Sequence, residues 1–201
     1  MKQGETKQRL LQVGLDQMSV HGIEGVTLGR LASAAGLSKS GLFAHFKTKE
    51  QLQVELLESM AETASAVILA PAMQAPAGIK RLRAVMEHWW GWWRRAGLSG
   101  GCPIAGAFFE YDDLEGEVRD CAARLEKQWR EALTELVEEA VSLQHLDPAT
   151  DVDQFVWELC AIYLGHHVSA RFLRSNDADM RARASFEALV ARYSTAGQSA
   201  S

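Results

Sequence analysis

The stretch TLGRLASAAGLSKSGLFAHFKTKEQ, Thr27 to Gln51, decides how the N-terminal part of this chain folds. Thr27 is positioned to cap a short helix whose apolar residues recur at helical spacing. Gly36 interrupts that helix where a residue with positive φ turns the chain. Ser38 then caps a second short helix, over about residues 39–46. Two short helices around a tight glycine turn predict a helix-turn-helix unit.

The second short helix has the shape required to enter the major groove of DNA, because its N-terminal end carries only small side chains or a flexible lysine. Three apolar residues are expected to face inward: Leu37, Leu42 and Phe46. Five residues are expected to face outward: Lys39, Ser40, Phe43, Ala44 and His45.

A long helix is predicted to follow, because Thr48 and Gln51 form a capping box, and to end before Pro71. Helix N-termini at Thr27 and Thr48 present backbone N–H groups to phosphates, and Lys47 and Lys49 add positive charge beside them.

The remainder of the 201-residue chain has a composition that predicts helices and no membrane-spanning segment. It has four prolines and almost no alternating β-branched runs, which predicts an all-α fold of about nine helices. No segment is apolar for long enough to span a bilayer. The three cysteines are widely spaced, so we expect a cytoplasmic protein without a disulfide framework. Residues 1–50 carry a net charge of +3 and the other 151 residues carry −8, which indicates that the N-terminal part meets a polyanion.

Apolar periodicity predicts the other helices at about residues 6–21, 77–96, 103–111, 116–143, 152–173 and 178–193. The helix that begins at residue 152 is apolar on several faces at once, more than one chain's core covers. We therefore expect a homodimer formed through 152–174 and 178–193.

Residues 26–52 resemble the DNA-binding signature of the TetR family of bacterial transcriptional regulators. The resemblance lies in Thr27, in Leu31-Ala32, in Ala35-Gly36-Leu37-Ser38 at the turn, and in Leu42-Phe43, His45-Phe46 and Lys49-Glu50-Gln51-Leu52. It implies an Ω-shaped homodimer that represses transcription from a palindromic double-stranded DNA operator until a small-molecule effector binds. We expect two domains, a DNA-binding domain at 1–48 and an effector-binding and dimerisation domain at 49–196. The low complexity of residues 197–201 predicts a disordered tail. The predicted DNA-binding residues are Thr27, Ser38, Lys39, Ser40, Gly41, Phe43, His45 and Lys49. Phe43 departs from the family, which usually has tyrosine there.

The stretch HWWGWWRR, His88 to Arg95, indicates where an effector would bind. On one continuous helix, Met86, Trp89, Trp90 and Trp93 would share a side. Aromatic rings in such numbers line a pocket for a hydrophobic or planar effector, or they are ordinary core. The predicted effector-binding residues are Trp89, Trp93, Phe108, Phe109, Trp129 and Trp157.

Cys102 supports a second kind of sensing. It precedes Pro103, which suits the first position of a helix, so the thiol would lie at a helix N-terminus that favours thiolate. The arrangement is similar to a TetR subgroup with a Gly-Cys motif in the ligand domain, some members of which respond to electrophiles. The alternatives are a thiol-based electrophile or redox sensor and an inert buried cysteine.

Other functional classes have weaker support. His166 and His167 are adjacent and point about 100° apart on a helix, so we expect no metal site there. The acidic residues Glu110, Asp112 and Asp113 lack a nucleophile or phosphate loop, so we expect no enzyme and no cofactor. A helix-turn-helix used only for packing, in a dimeric interaction module, is the remaining alternative.

Overall fold

The computed structural model describes residues 3–194, except for the side chains of residues 3–5 and of Lys39. Within that range the chain is all-α, with ten α-helices and one π-helical turn and no strand. The helices are α1 (Gln3–His21), α2 (Leu28–Ala35), α3 (Lys39–Phe43), α4 (Lys49–Ala72), α5 (Ile79–Trp89), α6 (Trp92–Arg95), α7 (Pro103–Glu110), α8 (Glu117–Ser142), α9 (Val152–His167) and α10 (Ala178–Tyr193), with the π-helical turn Val168–Phe172 between the last two.

The chain divides into two compact units. Unit 1 comprises residues 1–65 and 93–126, and unit 2 comprises residues 66–92 and 127–201. The functional boundary expected between residues 48 and 49 stays a prediction, and the tail expected at 197–201 lies outside the described residues. Among the described residues, no helix combines the length and the apolar character needed to cross a membrane.

Unit 1 is organised around the packing of α1 on α2 and α4. Gly14 brings α1 close to α4, since a Cβ atom at this position would lie 2.6 Å from a methyl carbon of Leu56. The core of the helix-turn-helix consists of apolar side chains that are fully or almost fully buried: Leu10, Ile23, Val26, Leu31, Leu42, Phe46 and Leu52. This packing holds α3 by its inner face.

Unit 2 is held together by ion pairs between its helices as well as by its core. Two bidentate arginine–carboxylate pairs join α5 to α10: Arg83 with Glu187, and Arg183 with Glu87. Their N···O distances are 2.8–2.9 Å. Their opposite order along the two helices makes α5 and α10 antiparallel. Bidentate pairs fix the relative orientation of the two helices better than single hydrogen bonds do.

Three predicted features of the helices are wrong. The predicted helix at 77–96 is broken at Trp90, and Gly91 adopts φ +61°. This break lets the four tryptophans Trp89, Trp90, Trp92 and Trp93 all be buried, which a continuous short helix does not allow because their side chains would spread around it.

The long helix does not end before Pro71, because α4 continues to Ala72. Proline there removes one backbone donor near the helix end, and the next turn still closes from Met73 N to Leu69 O at 2.9 Å. Leu37 is exposed rather than inward-facing. It follows Gly36, whose positive φ turns the chain, and its own backbone N–H donates to Ala32 O at 2.9 Å.

Candidate functional site

Each helix of the α2–turn–α3 segment begins at a side-chain cap. Thr27 Oγ1 accepts from Arg30 N at 3.3 Å, and Ser38 Oγ accepts from Gly41 N at 3.1 Å. Gly36 links the two helices at φ +67°, in the left-handed region that glycine adopts without steric cost. A residue with a Cβ would strain this turn, which explains why the chain has glycine between two caps.

The outer surface of α3 and of the residues beside it carries the side chains expected to face DNA. Ser38 and Ser40 are exposed and their hydroxyl oxygens lie 3.0 Å apart, and Phe43 is 51% exposed. His45 is half-buried beside the ring of Phe46. Gly41 keeps the surface low, since a Cβ there would lie 3.3 Å from Ser38 Oγ. The side chain of Lys39, also expected here, lies outside what the structure describes.

The N-terminus of α4 completes this surface. Thr48 Oγ1 accepts from Gln51 N at 3.0 Å, and Gln51 Oε1 accepts from Lys47 N at 2.9 Å, so the predicted capping box is formed around the preceding residue's N–H. Lys47 is exposed to solvent. Lys49 is not simply a solvent-facing charge, because its Nζ forms an ion pair with Glu24 at 2.6 Å.

The carboxylate of Glu24 gathers several donors. Besides Lys49, it accepts from the hydroxyl of Tyr111 and, at 3.4 Å, from Nε2 of Gln53. The hydrogen bond from Lys49 and then that from Tyr111 lower the pKa of Glu24 below its ordinary value. The pKa of Tyr111 is raised, first by burial and then by its bond to the carboxylate. Glu24 is therefore a carboxylate and Tyr111 a neutral donor at physiological pH.

The segment around α7, which we call the α7 strap (residues 99–111), is fastened to α1. At its N-terminal end, Ser99 N donates to Asp16 Oδ1 at 2.7 Å, and Gly100 N donates to Ser19 Oγ at 2.9 Å. Gly101 N donates to the backbone oxygen of Ser19 at 2.9 Å. These contacts join residues more than 80 positions apart in the sequence, so no local pattern predicts them.

The C-terminal end of the strap is fastened to the turn between α1 and α2. Glu110 Oε2 accepts from the backbone N–H of Glu24 at 3.0 Å, and Gly22 leaves room for that carboxylate. Tyr111 reaches the side chain of the same Glu24. The strap is thus held to the helix-turn-helix region at both of its ends.

Within unit 1, the other predicted sensing residues lie in or near the strap. Cys102 is the N-cap residue of α7, directly before Pro103, and is 8% exposed. Phe108 is half-buried and Phe109 is 67% exposed. Trp93 is buried, with the Arg94 guanidinium 5.5 Å from the centroid of its ring.

Unit 2 brings two of the predicted effector residues together. The rings of Trp89 and Trp129 meet edge to face at 4.9 Å, and Trp89 also stacks on Tyr163 at 4.1 Å. Trp92 Nε1 donates to the Tyr163 hydroxyl at 3.0 Å. Trp157, which was expected to join this group, is 59% exposed on α9. We call Trp89, Trp129, Tyr163 and Trp92 the aromatic cluster.

Two features of the aromatic cluster were not foreseen. Tyr163 was absent from the prediction, although its four-residue spacing from Phe155 and Leu159 marks the buried face of α9. The indole Nε1 of Trp129 is buried and has no hydrogen-bond partner among the residues that the structure describes. A buried N–H group without an acceptor costs free energy. This N–H group would therefore favour a ligand that carries a hydrogen-bond acceptor.

The two histidines at the end of α9 have different surroundings. His166 Nε2 lies 2.6 Å from Asp179 Oδ1, whereas burial lowers the pKa of His167 to about 4, helped by Arg171 and His166. Between residues 3 and 194, no group of three or more His, Cys, Asp or Glu side chains is arranged to hold a metal ion.

The free energy of unfolding is expected to fall as the pH drops from about 6.5 towards 4. In this range His167 binds a proton in the unfolded chain, whereas in the folded protein it stays neutral. One such proton corresponds to at most about 1.4 kcal/mol per pH unit, and solvent near this half-buried ring reduces that figure. Urea unfolding of the wild type and of His167→Gln between pH 7 and pH 5 measures the effect. The variant should show the weaker pH dependence, and His21→Gln, at an exposed histidine, should match the wild type. Equal slopes for His167→Gln and the wild type would contradict this assignment.

Comparisons with known proteins agree on the kind of fold. Residues 10–56 match the family of bacterial regulatory proteins, tetR family, and residues 78–186 match the tetracyclin repressor-like, C-terminal domain. The nucleoid occlusion factor SlmA of Cronobacter sakazakii is 27% identical over 180 residues, which cover 88% of this chain and 90% of SlmA.

Solved structures resemble the chain over nearly its whole length. A TetR transcriptional regulator from Chloroflexus aurantiacus is 26% identical, with a TM-score of 0.79 over 94% of this chain and 93% of that one. AibR, solved in complex with isovaleryl coenzyme A and operator DNA, is 20% identical, with a TM-score of 0.67 over 94% of this chain and 97% of AibR. At that identity, the likeness to AibR is one of fold.

Proposed function

This chain belongs to the TetR family of bacterial regulatory proteins, and we propose on that premise that it represses transcription as a homodimer bound to a palindromic operator. As a member of the family it is a DNA-binding transcriptional regulator and not an enzyme. One observation carries the proposal: α2 and α3 are capped around Gly36, and the outer surface of α3 is exposed to solvent at Ser40 and Phe43.

Binding to the operator is assigned to both short helices and to the start of α4. Ser38, Ser40, Gly41, Phe43 and His45 meet the major groove, and Lys39, given by the resemblance, is assigned to the same surface. Thr27 and Lys49 meet phosphates, where backbone N–H groups and positive charge stabilise the complex. AibR was solved with operator DNA bound, which supports this use of the fold.

A second copy of this chain is the proposed partner. The surface of unit 2 formed by 152–174 and 178–193 has large apolar side chains in solvent: Trp157, Val168, Phe172, Leu173 and Met180, with Phe172 83% exposed. Monomeric proteins seldom leave so many exposed together. A two-fold dimer presents two recognition helices to half-sites about 34–36 Å apart, one turn of DNA, which makes the operator palindromic.

A small aromatic or hydrophobic effector is the proposed releasing signal. Trp89 and Trp129 are its best-supported contacts, because their rings meet edge to face and the indole N–H of Trp129 has no partner among the described residues. Such an effector has a flat apolar body and one hydrogen-bond acceptor. Trp93, Phe108, Phe109 and Trp157 have weaker support, since they lie in unit 1 or on the exposed face of α9.

Release requires that effector and operator favour different arrangements of the chain. The α7 strap is the proposed element with two arrangements. It is hydrogen-bonded to Asp16 and Ser19 at one end and to Glu24 at the other. A displacement of the strap would therefore shift the end of α1 and the turn before α2, and with them the spacing of the two recognition helices.

The experiment that tests the proposal is titration of a labelled duplex from upstream of the chain's own gene, followed by fluorescence anisotropy at several salt concentrations. We expect tight binding that weakens steeply with salt, two chains per half-site pair, and dimers by analytical ultracentrifugation. A dimer that binds neither this duplex nor unrelated DNA at low salt would favour the interaction module instead.

Thiol sensing through Cys102 is the second candidate. Its N-cap position on α7 favours a thiolate, and it lies on the strap that is fastened to α1. Cys102→Ala is expected to keep DNA binding but to lose any release caused by a thiol-reactive electrophile. Cys121→Ala is the matched control, because that thiol lies within α8 and not at a helix N-cap, and burial raises its pKa. Release that persists in Cys102→Ala would exclude this mechanism.

A further inference from the structure

Glu24 holds the lysine that the proposed function assigns to a DNA phosphate. Its Oε2 atom lies 2.6 Å from Lys49 Nζ, and its Oε1 atom accepts from Tyr111 and Gln53. The ammonium group at the start of α4 therefore already has an anionic oxygen as a partner before DNA arrives.

We propose that Glu24 is an internal competitor for Lys49, a carboxylate that occupies the phosphate-binding ammonium and that Tyr111 positions for this purpose. This inference rests on the proposed DNA-binding function. A phosphate reaching α4 must share Lys49 with Glu24 or displace it, so the pair sets how much of the lysine charge contributes to binding.

Glu24 is the fixed partner of this pair, and Lys49 is the mobile one. The backbone N–H of Glu24 donates to Glu110 at 3.0 Å, and the neighbouring backbone oxygen of Ile23 accepts from buried Gln53 at 2.8 Å. Tyr111, itself buried, holds the carboxylate by its hydroxyl. Lys49 has a flexible four-carbon stem with three donor hydrogens, so it can turn from one anion to another.

The exposure of the pair makes this exchange possible. The Lys49 side chain is one-third exposed and that of Glu24 about half exposed. Ion pairs in contact with solvent are weak, so a DNA phosphate competes successfully for the lysine. A fully buried pair would not exchange in this way.

The test is a salt titration of a fluorescein-labelled 30-base-pair duplex of arbitrary sequence, using the full chain. Glu24→Gln is expected to bind more tightly and to steepen the slope of log K against log salt by up to roughly 0.9 for each bound chain, the value of one additional phosphate contact, and so by up to roughly 1.8 for the dimer. At this limit its advantage over the wild type shrinks by a factor of roughly 12 between 50 and 200 mM salt, or roughly 3.5 for each chain. Glu50→Gln is the matched control, since it removes one exposed carboxylate from the first turn of α4 itself.

The Lys49→Ala background separates competition from a general charge effect. Lys49→Ala is expected to weaken binding to all sequences alike and to lower the slope, and to do so more strongly when Glu24→Gln is already present. In the Lys49→Ala background, Glu24→Gln should gain no more than Glu50→Gln does. Tyr111→Phe, which keeps the carboxylate, should give a smaller gain than Glu24→Gln and none when combined with it.

The outcomes distinguish this inference from the function beneath it. Tighter, more salt-dependent binding by Glu24→Gln that requires Lys49 supports the competition. A gain equal to that of Glu50→Gln, or one that still exceeds the Glu50→Gln gain in the Lys49→Ala background, overturns it while the wild type still binds DNA. Weaker binding by Glu24→Gln overturns it too, because Glu24 would then orient Lys49 towards DNA. No salt-dependent binding by the wild type overturns the DNA-binding function, and this inference with it.

Discussion

Gly100→Ala is expected to detach the α7 strap from α1 and to lower the free energy of unfolding by about 2–4 kcal/mol. A Cβ atom at residue 100 would lie 1.7 Å from the backbone oxygen of Ser19, and a backbone atom cannot move aside as a side chain does. The hydrogen bonds from the backbone N–H groups of Gly100 and Gly101 to Ser19 would be lost or stretched as the strap moves away from α1.

Denaturant unfolding followed by far-ultraviolet circular dichroism measures this loss, at one protein concentration because dimerisation would contribute to stability. Gly106→Ala is the matched control on the same strap. A Cβ there would meet only Glu110 Oε1, at 3.5 Å, and alanine in a helix is more favourable than glycine by up to about 1 kcal/mol. If both variants were as stable as the wild type, the strap would not be fastened as described.

Phe46→Ala is expected to unfold the helix-turn-helix unit, at a cost of about 3–5 kcal/mol. Phe46 is 0% exposed and packs in the core that supports α3, with the Lys7 ammonium 5.7 Å from the centroid of its ring. Removing the ring leaves a cavity that the short α3 cannot close by itself. DNA binding should be lost at temperatures where the wild type still binds.

Phe43→Ala separates stability from recognition. Phe43 lies three residues earlier and is exposed, so its removal should change the free energy of unfolding by less than about 0.5 kcal/mol. If α3 enters the groove, this variant should still bind DNA less tightly at unchanged stability. Equal destabilisation by both variants would mean that α3 is buried differently, and unchanged binding by Phe43→Ala would remove Phe43 from the interface.

The sequence alone determined the elements that depend on neighbours a few residues away. Thr27, Ser38 and Thr48 cap helices because a cap needs only an oxygen near the N–H groups two or three residues on. Gly36 predicts a turn because the turn requires a positive φ at that one residue, which glycine adopts readily. α10 follows its predicted bounds, since apolar periodicity is a local signal. The capped unit, and the DNA-binding reading that rests on it, could therefore be predicted.

The tertiary structure alone decided which side chains meet across the chain. The helix that contains the tryptophan stretch is interrupted at Trp90 and Gly91. The interruption lets the four indole rings be buried in different directions, and the surrounding core determines those directions. Glu24 meets Lys49 across 25 positions and Tyr111 across 87, and the strap meets Ser19 across 81. Such contacts leave no periodic trace in the sequence, because a partner's position depends on how whole helices pack and not on the spacing of residues along one of them.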